Sequence, residues 1–154
     1  MKNISIIFLF LAAGIISCKE VYKEWEKESF SALSWKPDKA IKFYPEIEDT
    51  TKNYVLTLGI RHLYGTKLEK ITVTVTRISP SGKQDARNYT LNWTDESGKS
   101  LASCAGNMCD VELAVDEDLH FSEKGTYTFA VNPAAESGQI SGIMEFGFII
   151  SIKN

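Results

Sequence analysis

Three cysteines and two histidines are the side chains best suited to bond-making chemistry in this 154-residue chain. Cys104 and Cys109 are separated by Ala105, Gly106, Asn107 and Met108. In an exported chain, which meets oxidising conditions, a disulfide closing this short loop is the natural reading, with two free thiols as the alternative. A metal site would need a second ligand pair or a nearby histidine. A redox pair is ordinarily Cys-x-x-Cys at a helix start. His62 lies where a strand-like run meets a turn, and His120 stands between Leu119 and Phe121. Neither is accompanied by His-x-x-x-His, Gly-x-Ser-x-Gly or a glycine-rich phosphate loop. Carboxylates are plentiful, among them Glu46, Glu48, Asp49, Asp110, Glu112 and Asp116, yet their spacing selects no acid/base pair. Asp116, Glu117 and Asp118 lack the EF-hand pattern that would direct them to calcium. No catalytic, cofactor-binding or metal-ligating set is expected, and hence no enzyme.

Cys18 has a different setting. Met1, Lys2 and Asn3 make a short positive start, an apolar run follows over residues 4–16, and Ser17 precedes the cysteine. A charged start, an apolar stretch and a small residue before the cut mark a secretory signal peptide over residues 1–17. The run falls short of the roughly 20 apolar residues that span a bilayer. Ile15, Ile16, Ser17 and Cys18 resemble the bacterial lipobox, which implies diacylglycerylation of the Cys18 thiol, cleavage after Ser17 and acylation of the new amino terminus. Several acyl chains on one residue give lasting attachment, because each buried methylene adds about 0.8 kcal/mol and one chain alone is marginal. The expected partner of Cys18 is therefore a lipid membrane. Lys19 and Glu20 follow, with no aspartate of the kind that retains enteric lipoproteins in the inner membrane, so the outer membrane is the expected location.

Removing residues 1–17 leaves one ordinary domain's length, enough for a hydrophobic core. The net charge of −3 moves one unit further negative with the loss of Lys2. A mildly acidic surface of mixed sign carries no electrostatic footprint for nucleic acid. Residues 18–34 read as an anchor-proximal segment whose flexible start sets the reach of the tether. The charged run at residues 23–28 is compatible with one or two helical turns or with an irregular strand. Residues 35–154 read as the folded domain.

From residue 39 onward the dominant period is two. Residues 39–47, 54–61 and 70–78 alternate apolar with polar or β-branched residues; Ile71, Val73 and Val75 face one way, and Thr72, Thr74 and Thr76 the other. Turns at residues 79–83 and 94–99 frame a strand carrying Tyr89, Leu91 and Trp93. Shorter candidates follow at residues 110–115 and 119–121. Tyr127, Phe129 and Val131 align in another strand, residues 132–142 form a long connection with room for a helical turn at 134–136, and residues 143–152 close the chain. About eight strands divided by turns predict an all-β fold, an antiparallel two-sheet β-sandwich of jelly-roll or Ig-like type. Trp25, Trp35, Tyr44, Tyr64 and Trp93 either line a glycan or peptide surface or pack the core.

The order of these pieces resembles the GldH family of gliding-motility lipoproteins of the Bacteroidetes. The likeness runs through Trp35, Lys36, Pro37 and Asp38, then Glu48 to Thr50, the strand at 54–61 closed by Arg61, the turn at 95–101, residues 125–129, Ala134, Gly142 with Ile143, and the last strand at 146–150. The resemblance implies a structural or accessory envelope lipoprotein linked to gliding motility and adhesin secretion, with envelope proteins as partners and no catalytic residues. Two positions depart from the family pattern: His62 stands where asparagine is usual, and the Cys104 to Cys109 loop replaces a glycine-rich segment. A membrane-tethered module binding a glycan or peptide is the alternative. Arg61, His62 and Tyr64, at a strand end, are the expected partner contact.

Overall fold

The computed structural model describes residues 19–66, 70–134 and 138–153. The signal peptide expected over residues 1–17, Cys18, Leu68 and most of the helical turn expected at 134–136 lie outside the described residues.

The described chain is all-β, and every strand pairing in it is antiparallel. A five-stranded sheet has the order β1 (Glu20–Glu26), β13 (Ile143–Ile152), β5 (Tyr54–Leu63), β9 (Met108–Leu119), β8 (Ser103–Ala105). A four-stranded sheet has the order β3 (Ile41–Phe43), β11 (Thr128–Pro133), β6 (Lys70–Ile78), β7 (Gln84–Asn92). Two short ladders join β10 (Gly125–Thr126) to β4 (Glu46–Ile47) and β12 (Ile140–Ser141) to β2 (Ser34–Trp35).

Among the described residues, thirteen strands in four sheets replace the expected eight in two. The single strand expected over residues 39–47 is β3 and β4, interrupted at Pro45, which has no N–H to give a ladder. Opposite it, the strand expected from residue 125 is β10 and β11. The pairs Ile41 with Val131 and Ile47 with Gly125 belong to one unbroken register, and the Tyr127 amide donates to the Pro45 carbonyl at 2.9 Å between them. Conversely, the strand expected at 110–115 is part of the twelve-residue β9, which runs on to Leu119 and shifts register against β5 near Leu56, while His120 and Phe121 of the fragment expected at 119–121 lie beyond it.

Alternation places the core. Tyr54, Leu56, Leu58 and Ile60 of β5, Ile71, Val73 and Val75 of β6, and Phe129 and Val131 of β11 are all buried in one cluster. The two larger sheets meet through rings: Phe43 stacks on Phe148 at 4.8 Å, and Phe129 approaches Phe148 at 4.9 Å. Burying each such ring contributes about 1.5–3 kcal/mol. The turns are built as read, with the Gly82 amide donating to the Ser79 carbonyl at 2.9 Å and Gly82 at φ 86°, where a side chain would be strained.

Two segments differ from expectation in a way that matters for function. Residues 20–26, read as part of an anchor-proximal segment with a flexible start, form β1, paired along β13 and followed by one 3₁₀ turn over Glu28–Phe30 that buries Phe30. The Ile152 amide donates to the Lys19 carbonyl at 2.9 Å, so the sheet incorporates the chain from Lys19 onward. The register also defines two ends. Lys19, Tyr54, Leu119 and Ile152 share the chain-start end, and Leu63 and Met108 share the opposite one. The ten residues of β5 span about 30 Å between them.

Candidate functional site

Arg61, His62 and Tyr64 follow one another where β5 runs out, but the pleat sends them to different places. Successive side chains on a strand alternate between faces. His62 turns into the core, 7% exposed, with its ring edge-on to Trp93 at 5.8 Å. Its Nδ1 lies 2.9 Å from the Leu63 carbonyl. Its Nε2 and the Trp93 Nε1 are buried without a hydrogen-bond partner among the described residues. Arg61 takes the outer face of the five-stranded sheet. Tyr64, just past the strand, is 71% exposed. The three residues therefore do not form one surface.

Arg61 is the centre of a cluster that sequence reasoning did not find. Its Nε and Nη2 donate to the two Asp110 carboxylate oxygens at 2.7 and 2.9 Å, and its Nη1 donates to Glu145 at 3.0 Å. Asp110 and Glu145 are its direct partners on the neighbouring strands β9 and β13. The guanidinium also lies 5.6 Å from the Trp25 ring centroid, within cation–π range. Trp25 lies over two glycines: a Cβ at Gly59 would come within 2.6 Å of the indole, and one at Gly147 within 2.8 Å. Only glycine at both positions leaves the ring room, and the two are cross-strand partners. Hydrogen bonds from Arg61 hold the Asp110 carboxyl below its ordinary range against the effect of burial. The same bonds raise the guanidinium. The contacts of the guanidinium all lie inside the molecule, so the cluster ties Trp25 of β1 to the sheet.

Beyond this cluster lies the tip. β8 and β9 form a hairpin across Gly106 and Asn107, a tighter form than the loop expected. Cys104 and Cys109 are direct cross-strand partners and are joined by a disulfide. The Tyr64 amide donates to the Asn107 carbonyl at 2.9 Å, which docks the β5 end on this hairpin. Met108 is 46% exposed and Leu33 41% exposed, and Leu33 sits at φ 51° in the left-handed region that non-glycine residues seldom occupy. The Leu33 carbonyl accepts from Gly142, whose own carbonyl accepts from Leu63, so Leu33 belongs to the same end. Tyr64, Met108 and Leu33 thus present apolar side chains to solvent on a cross-linked frame.

At the opposite end a cleft of about 640 Å³ opens beside Lys19, Tyr22, Tyr44, Glu46, Glu48, Asp49 and Lys52. The Tyr44 amide donates to the Tyr22 hydroxyl at 3.1 Å, and that hydroxyl donates to Glu24. Burial and the Glu24 carboxylate push the Tyr22 hydroxyl up to about 12. The Thr51 hydroxyl and amide hold the Asp49 carboxyl down, so it stays anionic. The sequence marks these carboxylates only as unpaired, because nothing local says that Tyr22 and Tyr44 meet beside them.

The five aromatics weighed for a glycan or peptide surface separate. Trp35 and Trp93 are in the core, Trp25 covers the glycines, and only Tyr44 and Tyr64 are largely exposed, at opposite ends. His120 is a surface residue beside Asp118 at 3.4 Å. Asp116 is taken up by Arg87 at 3.1 Å and the Tyr89 hydroxyl at 2.9 Å.

The family model described as GldH lipoprotein matches residues 20–150. A protein of Christiangramia forsetii described as "Gliding motility lipoprotein GldH homolog" is 26% identical, over 99% of this chain and 94% of that one. The "Gliding motility lipoprotein GldH" of Flavobacterium johnsoniae is 28% identical, over 100% of this chain and 99% of that one. Among solved structures, TmCBM61 in complex with beta-1,4-galactotriose is matched over 86% of this chain and 81% of that one, at 11% identity and a TM-score of 0.27, too low to support an argument.

Proposed function

Because the chain belongs to the GldH lipoprotein family, we propose that it is a non-enzymatic accessory lipoprotein of a gliding-motility-associated envelope assembly, a β-sandwich held by acylated Cys18 to the outer membrane. The observation that carries this reading is the extent of the family match, from the start of the first strand of the described fold into the last. The lipobox at residues 15–18 supports the anchor, and the absence of an aspartate after Cys18 supports the outer membrane. Envelope proteins of the motility or secretion machinery are the proposed partners. Of the contact residues expected at the end of β5, Tyr64 is the one whose side chain stands free for a partner; Arg61 is committed to Asp110 and Glu145, and His62 to the core.

Tethering favours such a role, since confinement at the membrane raises local concentration toward membrane partners and lets modest contacts suffice. The test is crosslinked affinity purification of the lipidated protein from its own envelope, beside Cys18→Ala and Tyr64→Ala variants. Motility or secretion components should be recovered, and should be lost in both variants. Recovery of no protein partner rejects the reading. Retention of envelope glycans in the same material would put the tethered glycan-binding module in its place, with the Tyr22 and Tyr44 cleft as its site.

A further inference from the structure

We propose that the chain-start end of the domain is a membrane-contact surface, seated on phospholipid headgroups with no linker between bilayer and fold. The inference rests on acylation of Cys18. Consecutive Cα atoms are about 3.8 Å apart, and Lys19 is already tied into the sheet by the Ile152 amide. Glu20 then pairs with Ser151. Acyl chains on Cys18 belong in hydrocarbon, and the headgroup layer on each side of it is only about 5–8 Å thick. An anchored residue one step from a rigid sheet therefore brings that end of the sheet into the headgroups. A flexible linker behaves as a random coil whose reach grows with length; here β1 takes up the chain before it can wander.

The surface brought down has the chemistry for such a seat. Lys19, Lys52 and Lys153 bring ammonium groups to this end, the last residue placed there by the hydrogen bond that its backbone amide donates to the Asn53 carbonyl at 2.8 Å. Lysine stems can lie along apolar matter while their heads stay wet. Glu46, Glu48 and Asp49 line the cleft beside Tyr22 and Tyr44, whose rings carry a polar tip on an apolar body. Lysines facing phosphate and carboxylates facing ammonium complement a zwitterionic phosphate-and-amine headgroup better than a purely anionic one. The consequence is an orientation: Tyr64, Met108 and the disulfide hairpin stand about 30 Å from the lipid, the length of β5.

The test uses full-length acylated protein in vesicles of phosphatidylethanolamine with a minor share of phosphatidylglycerol. A fluorophore is placed at Lys52→Cys, at Lys153→Cys or at Tyr64→Cys, and lipids carrying a nitroxide on the headgroup serve as quencher. Intact mass reports the acyl chains on Cys18. Quenching at positions 52 and 153 should exceed that at 64 several-fold, and a flexible insertion of about 15 Gly and Ser residues after Cys18 should abolish the difference. Equal quenching at all three positions with the acyl mass present overturns the contact surface and leaves the anchor standing. Stronger quenching at 64 overturns the orientation. An unacylated Cys18 overturns the anchor and this inference with it.

Discussion

Arg61 and Tyr64 are three residues apart on one stretch of chain, and their surroundings are opposite. Around Arg61 the guanidinium is engaged: Asp110 and Glu145 take it from two neighbouring strands, Trp25 lies beside it, and Gly59 with Gly147 forms the floor that lets the indole lie flat. Around Tyr64 the backbone is held, by Asn107 and through it the disulfide hairpin, while the side chain meets solvent. The comparison teaches that charge and aromaticity do not by themselves mark a contact surface. The residue with the richer chemistry is the structural one, because its partners already lie inside the molecule. The residue with the plainer chemistry is available, because a rigid frame presents it with nothing to satisfy it.

Substitutions at each region separate these roles. The largest effect is expected from Gly147→Val, which forces Trp25 off its floor. Overpacking of this kind costs about 1–3 kcal/mol, read from the urea midpoint of the soluble domain. Combining it with Trp25→Ala should cost less than the two changes added together, as expected of groups in contact; simple additivity would mean the ring does not rest where described. At the tip, Cys109→Ser opens a short closed loop with a separation of 5 residues. The chain-entropy argument gives about 2 kcal/mol for so small a ring, and adding a reductant to the native protein should lower its melting temperature in the same direction.

A smaller effect is expected from Arg61→Met, about 1 kcal/mol or less at neutral pH for a partly exposed pair. Its signature lies in the pH dependence. Asp110 has a folded pKa below its unfolded value of about 4. Its contribution is therefore present above that value and lost as the pH falls through the folded one. Denaturation midpoints at pH 7 and pH 3 should differ by more in the native protein than in the variant; equal differences would remove Asp110 from the account. The smallest stability effect belongs to Tyr64→Ala, within about 0.5 kcal/mol as for an ordinary surface change. A large loss of stability there would mean that the tip is structural after all, and that its loss of partners says nothing about recognition.

Much of the architecture was legible because strand alternation is local. The faces of β5, β6 and β11, the turns at Gly82 and Gly98, and the extent of the last strand can all be read from runs of a few residues. What was misread depended on pairing. Pro45 divides a strand without shifting its register, which only the partner strand reveals. The strand read as ending at residue 115 runs on to Leu119 because β5 continues opposite it, through a register shift near Leu56. The expected contact at residues 61, 62 and 64 ignored the pleat, which buries His62 and turns Arg61 outward. Trp25 was noted only as an aromatic, since nothing near it in sequence points to two glycines more than thirty residues away.

The sequence by itself determined the lipobox-like run that ends at Cys18, the β character of the chain, the cysteine pair at 104 and 109, and the resemblance to a lipoprotein family. These are properties of composition and short-range order, carried by neighbouring residues. Only the tertiary structure decided that the chain from Lys19 enters the sheet at once, that Asp110 and Glu145 close on Arg61, and that Tyr64 stands clear at the far end. Those outcomes depend on cross-strand register between distant segments. Register arises from the burial of the whole core, and no local stretch of sequence carries it.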